Sequence, residues 1–147
     1  MERMDDDFLA SSILLSDMAV REEGTGKLSI IGSFQGFNAA SLPFVSPRFF
    51  VVVAITNFVK TPKAFDVTAR IEDPRTGHVV GSVSAHLQIK EGAIVPRNAY
   101  IEVPVPFPQV MFPSGGEYKV EILVNNISAG ARYVAVNTQT TNPQLSV

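Results

Sequence analysis

Residues 65–72 read Phe-Asp-Val-Thr-Ala-Arg-Ile-Glu, apolar and polar in unbroken alternation. Successive side chains of an extended strand point to opposite faces, so Phe65, Val67, Ala69 and Ile71 share one buried face. Asp73-Pro74-Arg75-Thr76-Gly77 follows, with Pro and Gly where a tight turn uses them. The next run turns Val79, Gly81, Val83, Ala85, Leu87 and Ile89 inward and leaves Ser82, Ser84, His86, Gln88 and Lys90 outward. Together these predict a hairpin with one wet face. The same alternation predicts Tyr118, Val120, Ile122 and Val124 inward against Glu117, Lys119 and Glu121, after the turn Ser114-Gly115-Gly116. It also turns Leu28, Ile30 and Phe34 inward along 27–36. The turn Glu22-Glu23-Gly24-Thr25-Gly26 pairs that strand with an earlier one over 12–20. Phe49-Phe50-Val51-Val52-Val53-Ala54-Ile55 does not alternate, which predicts a central strand covered on both faces. A last strand is predicted over 131–137.

These signals amount to about eight short strands, and no amphipathic stretch is long enough to predict a helix. An antiparallel sandwich or barrel follows. The two-faced strand at 49–55 and the proline-broken segments favour the sandwich, because they suit strands that begin and end sheets. The predicted domain is a single unit over 10–137, with polar tails at 1–9 and 138–147. A length of 147 residues suits one domain, and a 46% hydrophobic content supports a real core.

The chain has no cysteine, which excludes disulfides, thiolate metal sites and a cysteine nucleophile and fits a reducing compartment. The start, Met1-Glu2-Arg3-Met4-Asp5-Asp6-Asp7, is acidic where a secretory signal carries positive charge. The longest apolar run, 49–55, is far short of the roughly 20 residues that span a bilayer. A cytoplasmic protein with no membrane partner is expected. Net charge is −2, and the twelve Lys and Arg are scattered along the chain. Phosphate binding needs clustered cations, so no nucleic-acid partner is expected either.

Several short motifs carry a resemblance. Ile13-Leu14-Leu15-Ser16-Asp17, then Arg21-Glu22-Glu23, then Gly26-Lys27-Leu28-Ser29-Ile30-Ile31-Gly32-Ser33-Phe34 resemble a bacterial family of small uncharacterised proteins. Leu42-Pro43-Phe44, Pro47-Arg48-Phe49 and Gly116-Glu117-Tyr118 are similar to later stretches of that family. The resemblance covers most of 12–137 and implies an immunoglobulin-like β-sandwich. It implies no activity and no binding residues. The expected fold is therefore all-β, an antiparallel two-sheet immunoglobulin-like sandwich of about eight strands.

Candidate chemistry is sparse. His78 lies beside the Gly77 turn and His86 on an outward strand face; without a further ligand they do not make a zinc site. Ser84, His86 and Asp66 spell a triad on paper, but no nucleophile elbow supports it. Seven of the fourteen carboxylates fall in the first 23 residues: Glu2, Asp5, Asp6, Asp7, Asp17, Glu22 and Glu23. No calcium-loop spacing accompanies them, so Asp5 to Asp7 read as a solvated tail. Asp17 interrupts an apolar strand and is expected to accept a hydrogen bond from the backbone or from Lys27. Asn126-Ile127-Ser128 fits a glycosylation sequon, which carries no meaning without export. The terminal Leu145-Ser146-Val147 could add to a sheet edge in a peptide-binding domain.

Two apolar segments stand out: 37–47, and 104–113 with its four prolines. Proline removes ladder donors, so the second is expected to be an edge strand or an extended crossover. Phe44, Phe107 and Phe112 either plug the open ends of the core or stay exposed. In the second case Phe44, Pro106, Phe107, Met111 and Phe112 form a protein-contact surface. The expected function is a non-enzymatic protein-binding or self-assembling module, a homo-oligomer or the partner of another protein, with no cofactor, metal or small ligand. A small-ligand or carbohydrate-binding sandwich is the alternative, weakened by the absence of Trp and by only three Tyr.

Overall fold

The computed structural model describes residues 7–138. Among them are eleven strands and no helix: β1 (Leu9–Arg21), β2 (Leu28–Phe34), β3 (Gly36–Asn38), β4 (Phe44–Val45), β5 (Phe49–Thr56), β6 (Ala64–Glu72), β7 (Val79–Gln88), β8 (Tyr100–Phe107), β9 (Met111–Phe112), β10 (Gly116–Val124) and β11 (Ile127–Asn137). Eight of these are seven residues or longer; seven lie on the stretches predicted as strands, and β8 begins at Tyr100, ahead of the proline-rich segment expected as an edge strand or crossover. One sheet has the order β2-β1-β5-β8, a second β3-β11-β10-β6-β7, and β4 and β9 form a two-stranded ladder.

The first sheet is antiparallel throughout, but β3 runs parallel to β11, so the second sheet is mixed. This corrects the expectation of a wholly antiparallel fold. The β3–β11 contact depends on Gly36, where a Cβ would come 2.6 Å from the Ala135 carbonyl oxygen.

Leu15, Phe49, Val51, Val53 and Ile55 of the first sheet meet Phe65, Val67, Ala69, Ile71, Tyr118, Val120, Ile122, Val124, Val134 and Val136 of the second in one buried cluster. The predicted hairpin β6–β7 forms, with Phe65 opposite Leu87 and Val67 opposite Ala85; its register shifts between Ile71 and Glu72, and Val79, expected inward, is exposed. Its turn closes where Gly77, at φ 76°, donates to the Asp73 carbonyl. Residues 8 and 9 belong to the fold rather than to a polar tail. Leu9 opens β1, and the Phe8 ring lies 5.4 Å from Phe58 and 5.8 Å from Phe65.

β5 is covered on both faces, as its unbroken apolar run predicts. Val51, Val53 and Ile55 face the common core, whereas Val52 and Ala54 are buried outside it. The cover is the β1–β2 hairpin. β1 pairs with β5 from Leu9 to Ser16, then bends, and only β2 accompanies it to Arg21. At the bend alternation breaks: Leu15 and Ser16 are both buried, Asp17 and Met18 both exposed. Pairing lapses between Asp17 and Gly32, where Gly32 takes φ 69°. Beyond it the hairpin returns across β5 to the edge strand, and Arg21 Nη2 donates to the Glu102 carbonyl of β8 at 2.8 Å. The side facing the sheet carries Ala19, Leu28 and Ile30, all half-buried.

Candidate functional site

The expected contact surface divides in two. Phe44 pairs with Phe112 and Val45 with Met111 on the β4–β9 ladder, so alternation turns one pair inward and the other outward. Phe112 is fully buried, its ring 4.9 Å from Tyr118 and 5.2 Å from Phe37. Phe44 is half-buried, 5.8 Å from Phe37. Phe107 is 2% exposed and stacks on Phe49 with centroids 5.1 Å apart and planes 5° from parallel. Phe107 and Phe112 are therefore core plugs. They cannot supply contact area, which corrects their place in the expected surface. Pro106 and Met111 do reach solvent.

Val45 and Met111 are 53% and 54% exposed, and Leu42 is exposed nearby. The ladder beneath them is held firmly. Buried Ser46 donates its N–H to the Val110 carbonyl at 2.8 Å, and its Oγ accepts from Val110 N at 3.0 Å. The segment 104–113 begins as the predicted edge strand: β8 pairs only with β5, placing Pro104 opposite Val52 and Pro106 opposite Phe50.

Asp66 and His86 are cross-strand neighbours, with His86 Nδ1 2.7 Å from Asp66 Oδ1. Ser84 points its hydroxyl at Thr68, 2.7 Å away, on the same exposed face. The paper triad thus becomes a surface Asp–His pair beside a Ser–Thr pair. Asp17 makes no bond to Lys27 among the described residues; its carboxylate instead lies over Gly32, where a Cβ would come 2.5 Å from Oδ2. No group of three or more His, Asp or Glu could hold a metal among the described residues. Asp5, Asp6 and Leu145-Ser146-Val147 lie outside them. Asn126 of the sequon shares the two-residue β10–β11 turn with Asn125, at φ 67° and 50°, a conformation Asn tolerates.

Two polar clusters brace the second sheet. Arg75 grips Asp73 through Nε at 2.8 Å and Nη2 at 3.1 Å, and reaches Ser114 Oγ at 3.0 Å. The Arg75 hydrogen bond holds the Asp73 carboxyl below the usual carboxylate range, against the opposing effect of burial. Fully buried Tyr118 donates its hydroxyl to the Ser114 carbonyl four residues back at 2.7 Å. Gly116, at φ 115°, leaves room for Arg75, whose Nη1 would sit 2.7 Å from a Cβ there. Burial pushes the Glu121 carboxyl up, but bonds from Arg70 and Ser128 and the charge of Lys119 together hold it below its ordinary value.

The opposite end of the first sheet carries a feature that the sequence reading passed over. Loop 57–63 and loop 89–99 are tied together: Ile89 N donates to the Lys63 carbonyl at 2.9 Å, Val95 N to Thr61 Oγ1 at 2.9 Å, and Arg97 Nε to Asn57 Oδ1 at 2.8 Å. Lys60, Lys63, Lys90 and Arg97 are thereby gathered at one end, with Ile94 the most exposed large apolar side chain, at 85%. The available signal was the apolar run Ala93-Ile94-Val95-Pro96 between Gly92 and Arg97. A shallow depression of about 410 Å³ beside these loops is lined by Leu9, Thr56, Asn57, Arg97 and Asn98.

The class is an all-β domain of two principal sheets, with a small ladder closing one end and tied loops the other. Residues 11–137 match the Family of unknown function (DUF6941), and the chain belongs to that family, which bears out the resemblance to an uncharacterised family. No curated protein matches the chain. Among solved structures, Pseudomonas fluorescens alkylpurine DNA glycosylase AlkC bound to DNA containing an abasic site analog is similar over 70% of this chain, at 15% identity and a TM-score of 0.40. This chain spans 28% of that chain's length, and a likeness so distant carries no argument about activity. The expected exclusion of nucleic acid is corrected at its premise: cations scattered in sequence are brought together by the tied loops.

Proposed function

We propose that the domain is a non-enzymatic protein-contact module with an immunoglobulin-like sandwich fold, self-assembling in its simplest form. The observation that carries the function is the outer face of the β4–β9 ladder. Its inner side is anchored by Phe44 and Phe112, and its outer side presents Val45 beside Met111 to solvent. A rigid, exposed apolar pair with Leu42 close by is the start of an interface core. Support for the sandwich comes from strand order. β11-β10-β6-β7 with a short parallel strand beside β11 matches the layout of immunoglobulin-like domains, and the Tyr118–Ser114 bond is of the tyrosine-corner kind. Support for a non-enzymatic role comes from Ser84, which bonds Thr68 on an open face beside the Asp66–His86 pair.

Light scattering over a concentration series tests this. Wild type should rise above the monomer mass. The double change Val45→Asp with Met111→Lys should restore the monomer and leave the melting temperature unaltered. A wild type that stays monomeric throughout would end the self-assembly reading.

A further inference from the structure

The tied loops lie at the far end of the first sheet from the β4–β9 ladder, where β5 ends and β8 begins. Segments 57–63 and 89–99 carry Lys60, Lys63, Lys90 and Arg97 against the single carboxylate Glu91. Lys60, Lys63 and Lys90 are exposed, and none of their side-chain ammonium groups has a hydrogen bond or ion pair among the described residues. Val59 and Ile94 are exposed between them. Tyr100, also exposed, stands at the base of the same loops and is a residue type that favours the membrane interface.

Isolated exposed apolar residues are ordinary, but one 85% exposed at the tip of a braced loop stands proud of the surface. A rigid partner would need a matching pocket for it. Nucleic acid offers phosphates to the lysines and no apolar layer to the isoleucine. An anionic bilayer offers both, since headgroups attract nearby cations and the acyl boundary accepts an apolar tip.

We propose that this loop end docks on an anionic lipid surface, with Ile94 entering the acyl boundary and Lys60, Lys63 and Lys90 meeting the headgroups. This reverses the expectation of no membrane contact and is independent of the β4–β9 reading.

Co-sedimentation with vesicles tests it, using phosphatidylcholine alone and phosphatidylcholine with about a third phosphatidylserine. Wild type should sediment with the anionic vesicles and not with the neutral ones. Charge reversal by K60E, K63E and K90E together should abolish this, and Ile94→Ser should weaken it several-fold at an unchanged melting temperature. The chain has no Trp, so Ile94→Trp supplies a single reporter whose emission should shift to the blue on anionic vesicles. Equal binding to both vesicles, no binding to either, or an unshifted Trp emission would each overturn the proposal. So would a single-stranded oligonucleotide that binds through the same lysines while vesicles are ignored.

Discussion

Replacing Gly32 by Ala tests the bend that folds β1–β2 back over β5. Gly32 occupies φ 69°, a left-handed conformation costing a residue with a Cβ about 1–2 kcal/mol. The new Cβ would also meet Asp17, lying 2.5 Å from Oδ2, 3.0 Å from Cγ and 3.1 Å from Cβ. Relieving such a contact by shifting the strands adds about 1 kcal/mol or more, as overpacking does. The single variant should therefore lose about 2–3 kcal/mol. In an Asp17→Ala background Oδ2 and Cγ are gone and the 3.1 Å contact alone remains, so Gly32→Ala should cost only about 1–2 kcal/mol. Asp17→Ala by itself should stay within about 0.5 kcal/mol, as at most exposed positions. Urea unfolding measures all four proteins, with a shifted midpoint and an unchanged slope. The same cost in both backgrounds would refute the Asp17 contact, and a total below about 0.5 kcal/mol would refute the bend itself.

Tyr118→Phe removes the hydroxyl from the Ser114 carbonyl and should destabilise by about 1–2 kcal/mol, read as a lowered melting temperature; an unaltered one would show that bond to be dispensable. Phe107→Ala should cost about 3–5 kcal/mol because the ring is stacked in the core, and a mild effect in thermal melting would place it at the surface after all. Asp73 and Glu121 both have folded-state pKa values held below their unfolded ones, so each contributes stability that is present above about pH 4 and lost as pH falls through the folded value. Acid melts of Asp73→Asn should accordingly show a shallower loss of stability below that pH than wild type, and parallel curves would contradict this.

The long strands were legible because alternation reports a half-buried face directly, as Phe65 to Glu72 demonstrate against β7. β5 was legible for the opposite reason, since seven apolar residues in a row need cover on two sides. What supplied that cover was not visible, because alternation is read as though a strand were straight, and β1 turns at Asp17. The motif around Gly32 was noticed as a resemblance, and its physical content is the left-handed backbone beneath a carboxylate. Phe107 and Phe112 could not be assigned from pattern because prolines interrupt the period around them. Three-residue β3 is too short for any pattern to report its direction. The cationic loop end is legible only in three dimensions, because hydrogen bonds between 57–63 and 89–99 create it.

The seat of the β1–β2 hairpin includes the Glu102 carbonyl, 81 residues downstream of Arg21. On a ribosome extending the chain at about 5–20 residues per second, that carbonyl emerges roughly 4–16 seconds after Arg21. Until then the hairpin can form locally, but its underside (Ala19, Leu28 and Ile30) lacks the completed β5–β8 platform. A nascent chain paused before residue 102 would hold that apolar face open and offer it to a holdase chaperone. Completion of β8 is thus the event that shuts this face, and released chains truncated before Tyr100 and after Phe107 should differ in protease sensitivity near Arg21.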